Sequence, residues 1–407
     1  MTAMRPSPTR CPRSPLERVA AGATLLALIL AGTAARAAEC PAPVTLEHAV
    51  TNAKQELQRR LDERTGEMDD SLAPPLVAAL DAYKESLAAA IDAQLACSDE
   101  TVAADALQAT LAAHLAPSNG AREAGDDSLR LVVRREDTPD PMLLVNAGFD
   151  IPCGDDNLLL GYSRENGHWV RSLDWRSKGY TEISGANGDF FRHLRLPGGQ
   201  LVIAHGTPWC TSRWSRLSID IVQPRQGDTP QRVLDHVEHG YVRDEVETRL
   251  KPSPGGFELR TEVGMLDVDL LTRPGILRYR LDGEALHRVQ PAAKSGRDFV
   301  DEWLQVGADT AREWSEPDNA SDSLLAREHL LALEARRDVT LNYGAVRGCQ
   351  AEPGRFQVEL ELNSEQPLQG GAHRYLAIRQ EPGGFTLLSV SDAADPACQG
   401  PDLMARR

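Results

Sequence analysis

Past residue 37 the chain has no run long and apolar enough to cross a bilayer, for which a helix needs about 20 such residues. It also lacks any cluster of basic side chains: Lys and Arg are scattered, and Asp and Glu outnumber them 60 to 44. A surface of that sign repels nucleic acid and anionic lipid at long range, so nucleic acid is not an expected partner. No glycine-rich phosphate loop and no dinucleotide fingerprint is present, and no cofactor is expected. The nucleophile elbow Gly-x-Ser-x-Gly, the zinc-protease motif His-Glu-x-x-His and its inverse are missing as well. Without a catalytic motif, a non-enzymatic role is favoured. The motifs of no named family are carried by the chain.

Cysteine is sparse, seven in 407 residues, yet its placement is informative. Arg5, Arg10, Arg13 and Arg18 precede an uncharged run from Val19 to Ala35, and Ala35-Arg36-Ala37 then offers the small residues a peptidase needs. That order predicts a cleavable export signal over residues 1–37. Glu39 directly before Cys40 argues against lipidation, which needs a small residue there. Removing the signal takes five basic and one acidic side chain and moves the formal net charge from −16 to −20. Cys11 leaves with it. Cys40, Cys97, Cys153, Cys210, Cys349 and Cys398 remain. An even set in an exported chain predicts disulfides and a periplasmic or extracellular location. By locality the expected pairs are Cys40–Cys97, Cys153–Cys210 and Cys349–Cys398.

Aromatic residues are few, and between Ala38 and Asp127 the single one is Tyr83. There Leu46, Val50, Ala53, Leu57 and Leu61 recur at helical steps, as do Leu76, Leu80, Tyr83, Leu87 and Ile91. Pro74 and Pro75 suit a helix start. Leu107, Leu111 and Leu115 mark a third helix, with Ser98 and Asp99 as N-cap candidates. Segment 38–118 is therefore expected to be a helical hairpin or bundle, and the polar stretch 119–128 a linker.

Beyond it the period changes to two. Leu217, Ile219 and Ile221 alternate with Ser218 and Asp220; Phe257 to Val263 alternates with Glu258, Arg260 and Glu262; Leu266 to Leu270 alternates with Asp267 and Asp269. Such segments predict strands with one dry and one wet face, the acidic residues on the wet one. Asn166-Gly167, Pro197-Gly198-Gly199, Pro254-Gly255-Gly256 and Asp282-Gly283 supply turns. Residues 129–292 are expected to form an antiparallel β domain, 293–345 a helical segment and 346–407 a small disulfide-closed β unit. The expected class is α+β, with the central part sandwich- or propeller-like. Segments 159–173, 276–290 and 375–390 share one grammar: a strand with a tyrosine, a glycine turn and a returning strand. Hairpins with common turn chemistry are the simpler reading; propeller blades are the other.

Eight of the 20 aromatic residues fall between Tyr162 and Trp214, and the segment 204–215 holds His205, Trp209, Cys210 and Trp214. With Asp189 these are the candidate ligand-binding residues, suited to a glycan or protein ligand. The competing expectation is core packing, with Trp169, Leu173 and Trp175 on one side of a strand. His205, Asp189 and Ser212 have the residue types of a triad but not its spacing. His236, Glu238 and His239 are candidate metal ligands with a solvated turn as the simpler reading. Asp155-Asp156-Asn157 offers calcium-type oxygens, or an Asx-rich turn. Together these features predict an exported, disulfide-stabilised binding or envelope accessory protein, with a hydrolase acting on a glycan or peptide as the alternative.

Overall fold

The helical spacings of the first third form three helices, α1 (Pro43–Asp62), α2 (Pro74–Ala96) and α3 (Ala104–Leu115). In this computed structural model the described residues are 43–63, 72–98, 101–115, 129–151, 154–178, 191–206, 215–227, 230–240, 248–283, 285–350, 352–368 and 371–404. Leu76, Leu80, Tyr83, Leu87 and Ile91 of α2 are all buried, with Val50 and Leu57 of α1 and Leu107 and Leu111 of α3 in the same core. Pro74 opens α2, where its missing N–H has no intrahelical partner to lose. Ser98 does not cap α3. Its hydroxyl donates to the Gln94 carbonyl at 2.7 Å and so closes α2 instead; Asp99 lies outside the described residues.

The strands of the described residues form four antiparallel four-stranded sheets, each a meander of neighbours in the chain. Sheet 1 comprises β1 (Arg130–Glu136), β2 (Met142–Ile151), β3 (Gly154–Glu165) and β4 (His168–Arg176). Sheet 2 comprises β5 (Phe191–Arg195), β6 (Leu201–Gly206), β7 (Ser215–Gln223) and β8 (Arg232–Gly240). Sheet 3 comprises β9 (Arg249–Ser253), β10 (Gly256–Gly264), β11 (Thr272–Asp282) and β12 (Ala285–Arg288). Then follow α4 (Gly296–Gln305), α5 (Ala308–Glu313) and α6 (Ala320–Glu334). Sheet 4 comprises β13 (Val339–Gly348), β14 (Arg355–Ser364), β15 (His373–Glu381) and β16 (Gly384–Ser391). Because β13 begins at Val339, the helical segment stops short of residue 345. The class is mixed α+β with strand predominant.

Apolar clusters define the layering. Val145, Phe149 and Tyr162 of sheet 1 pack under the helices, with the Tyr83 and Phe149 rings edge to face at 4.8 Å. The opposite face, with Leu144, Leu159 and Trp175, packs on Leu201, Ile203 and Val222 of sheet 2. Val202, Ala204 and Ile219 of sheet 2 then meet Phe257, Leu259 and Tyr279 of sheet 3. Sheet 2 is thus dry on both faces, which explains the unbroken apolar run Leu201–Ala204. Sheet 4 packs Val358, Leu360 and Ile378 against Phe299 and Trp303 of α4. A buried ionic clasp joins sheet 3 to α4: Arg273 contacts Asp301 at 2.6 Å and Glu302 at 2.5 Å, and Arg288 pairs with Glu302.

Several alternations mislead about direction. Asp220 and Glu258 are buried rather than on a wet face. Asp220 lies between two sheets, and Glu258 sits under Lys251, Arg260 and Arg278. Leu266–Leu270 is a turn, not a strand: Asp267 is 2% exposed and accepts the N–H groups of Asp269 and Leu270, while Val268 is 47% exposed. The aspartate side chain closes an Asx turn that apolar alternation alone does not reveal. Trp169 and Trp175 face opposite ways, Trp169 under the helices and Trp175 toward sheet 2. A bulge at Ser172, between the pairs Gly161–Leu173 and Tyr162–Arg171, reverses the alternation. The three segments of common grammar occupy equivalent places, as the last hairpins β3–β4, β11–β12 and β15–β16 of sheets 1, 3 and 4.

Candidate functional site

His205 is the penultimate residue of β6, opposite Phe191 of β5 and Ser218 of β7, so the strand register carries it into the contact between sheets 1 and 2. It is 4% exposed, and its ring meets the Trp175 ring edge to face at 4.8 Å. Asp220 Oδ2 accepts the indole N–H of Trp175 at 2.6 Å and lies 3.4 Å from His205 Nε2, yet neither imidazole nitrogen is hydrogen-bonded. Lys178, half exposed, approaches the same carboxylate to 3.5 Å. Tyr162, Trp169 and Trp175 are buried, so these members of the aromatic concentration are core. Trp209, Cys210, Ser212, Trp214 and Asp189 lie outside the described residues, as do Cys40 and Cys153.

His236, Glu238 and His239 fall on β8, opposite Ile219, Leu217 and Arg216, in a strand rather than a turn. Asp155, Asp156 and Asn157 likewise lie within β3 and not in a turn. The two carboxylates serve cations already in the chain. Asp155 pairs with Arg130, and Asp156 with the buried Lys84 at 3.3 Å. Cys349 and Cys398 form a disulfide. Cys97 is also disulfide-bonded, to a partner outside the described residues.

The chain's turns build a different feature. The connections β1–β2, β3–β4, β5–β6 and β7–β8 meet at one end of sheets 1 and 2 around a cavity of about 510 Å³. Asn166 and Gly167, both at positive φ, make the tight β3–β4 turn at its rim. Gly199, at φ 85°, serves the β5–β6 turn. Arg164, Arg195 and Arg225 line it with Ser163, Glu165 and Asp140. Arg195 donates to the Asp140 carbonyl at 2.5 Å, while its buried Nε has no hydrogen-bond partner. Burial pulls this guanidinium below its ordinary value, against the opposing pull of Asp140 and Glu136. A second cavity of about 550 Å³ is lined by Ile221, Val233, Leu234 and Leu281, with Gln200 and Arg232 as its polar members. Gln223 borders both. Val233 is 46% exposed at this apolar wall.

The pair of cavities offers a cationic compartment next to an apolar one, geometry that fits a small anion with an apolar extension. Sequence reasoning does not find it, because the three arginines are spread over some sixty positions. The available signal is that each stands within two residues of a turn: Arg164 before Asn166, Arg195 before Pro197, Arg225 after Pro224. No protein-family model, no curated protein and no solved structure matches this chain.

Proposed function

We propose that the protein is an exported, disulfide-stabilised binding or envelope accessory module of the periplasm or cell exterior, whose ligand is a small amphipathic anion. The convergence of Arg164, Arg195 and Arg225 on a cavity that shares Gln223 with a largely apolar one carries the reading. Three guanidinium groups stand there against the two carboxylates of Asp140 and Glu165, and an anionic group in the cavity neutralises the excess. The apolar compartment then takes the ligand's hydrocarbon part. The disulfide Cys349–Cys398 and the bonded state of Cys97 support an oxidising compartment. The hydrolase alternative rests on His205, Asp189 and the His236–Glu238–His239 group; packing of His205 against Trp175 favours binding over catalysis.

The finer architecture belongs to the same proposal. An N-terminal helical hairpin covers a blade-like stack of sheets 1 to 3, and a helix-plus-sheet unit follows. Equivalent placement of the three hairpins of common grammar supports blades.

The test uses the purified chain and a fluorescent amphipathic anion, anilinonaphthalene sulfonate, displaced by decanoate or by decanol. Decanoate is expected to displace it and decanol far less. Arg195→Met is expected to weaken decanoate about tenfold or more, the loss of one charge-assisted contact. Equal displacement by both, or an unchanged affinity in the variant, defeats the reading.

A further inference from the structure

Sheet 4 has one face on α4 to α6, and its other face gathers a second chemistry. Glu359 and Glu361 are two apart on β14, hence on one side of the strand. Cross-strand pairing sets Tyr375 of β15 beside Glu359 and His373 beside Glu361. One donor atom from each of Glu359, Glu361 and His373 lies within 4.8 Å of the other two. This is the one such group of three among the described residues.

The arrangement is held in place from below and beside. His373 Nδ1 is 3.0 Å from Glu359 Oε1, and the Tyr375 hydroxyl donates to the same oxygen at 3.3 Å. The Ala345 N–H donates to Glu359 Oε2 at 3.4 Å from a bulge in β13. Gly344 in that bulge is needed for space, since a Cβ there would lie 2.9 Å from the Glu359 side chain. Glu361 adds a second carboxylate that has no cation of its own among the described residues. Two adjacent carboxylates facing one imidazole leave an excess of negative charge, which a divalent ion neutralises.

We propose that Glu359, Glu361 and His373 are the ligands of a divalent first-row metal ion, zinc foremost. Tetrahedral zinc with about 2.1 Å bonds separates its donors by about 3.4 Å, a spacing reached by small side-chain rotations from the observed one. The imidazole disfavours calcium and magnesium, which take oxygen ligands. Half-buried glutamates and an exposed histidine leave the fourth position open to solvent or to a ligand donor. This site is independent of the turn-end cavities. It lies on strands where the sequence shows only polar residues alternating with a dry face.

Titration calorimetry of the full chelator-treated chain with zinc chloride, repeated with manganese, calcium and magnesium, tests it. Zinc is expected to bind with about one equivalent at this site. His373→Ala and Glu361→Gln each weaken it by at least tenfold, and Tyr375→Phe by about tenfold through Glu359. His236→Ala and His239→Ala leave it unchanged. Metal-free melting curves check that each variant is folded, with the isosteric Glu361→Gln deciding if His373→Ala is not. Absence of zinc binding, equal affinity in Glu361→Gln, or loss confined to the β8 histidine variants overturns the proposal.

Discussion

Lys84 of α2 and Asp156 of β3 are both without solvent exposure, and their charges lie 3.3 Å apart where the helical layer meets sheet 1. The ammonium also donates to the Ser177 carbonyl at 3.1 Å, so the pair pins α2 to the end of β4. Removing one buried charge strands the other, whereas removing both exchanges an ion pair for packing. Lys84→Met is expected to cost about 3–5 kcal/mol in urea unfolding, and Lys84→Met with Asp156→Leu to recover most of that loss. Equal destabilisation by the single and the double variant would show that the cost lies in packing and not in charge.

His193 of β5 gives the fold a weakness toward acid. Burial first, then the neighbouring Arg134, hold its imidazole at about 4, below its ordinary 6.5. The unfolded chain takes up a proton in this window that the folded protein refuses. Stability is therefore full above about pH 6.5 and falls as the pH drops toward about 4, by about 1–3 kcal/mol. His193→Gln is expected to remove this part of the slope between pH 7.5 and 5 in urea unfolding. An identical slope in wild type and variant, or a ring that titrates normally by NMR, speaks against it.

Glu258 acts lower on the pH scale and by opposite physics. Burial pushes its carboxyl up, but hydrogen bonds from Arg260, Arg278 and Lys251 outweigh this and hold it at about 2. Its contribution is present above about pH 4.5 and is lost as the pH falls toward 2. Because Lys251 and Arg260 are partly exposed, about 1–2 kcal/mol is expected rather than the full linkage value. Glu258→Gln should cost that much at pH 7 and only about a quarter of it at pH 2.5. A variant as stable as wild type at pH 7 contradicts this.

The helices are legible because each buries one stripe: Leu76, Leu80, Tyr83, Leu87 and Ile91 are spaced for one face and occupy it. Strands are legible as strands for the same reason, as at Phe257–Val263. What fails is the inference from polar to wet. Sheet 2 has neighbours on both sides, so Asp220 goes inside with Trp175 as its donor. Glu258 is covered by cations that come from three different strands. Alternation counts residues and is blind to the extra one at Ser172, which turns Trp169 away from Trp175. The cavity arginines and the Glu359–Glu361–His373 group escape for one shared reason. Each joins side chains that are distant in sequence and adjacent only after the strands have paired.

Among the described residues, every strand of the four sheets has as its ladder partners only the strands before and after it in the chain. No strand has to wait for a partner made a hundred residues later, and closing each turn costs little chain entropy. Sheets 1, 2 and 3 can therefore mature in the order of synthesis, each laying down the apolar platform on which the next one condenses, and sheet 4 then closes on the helices that precede it.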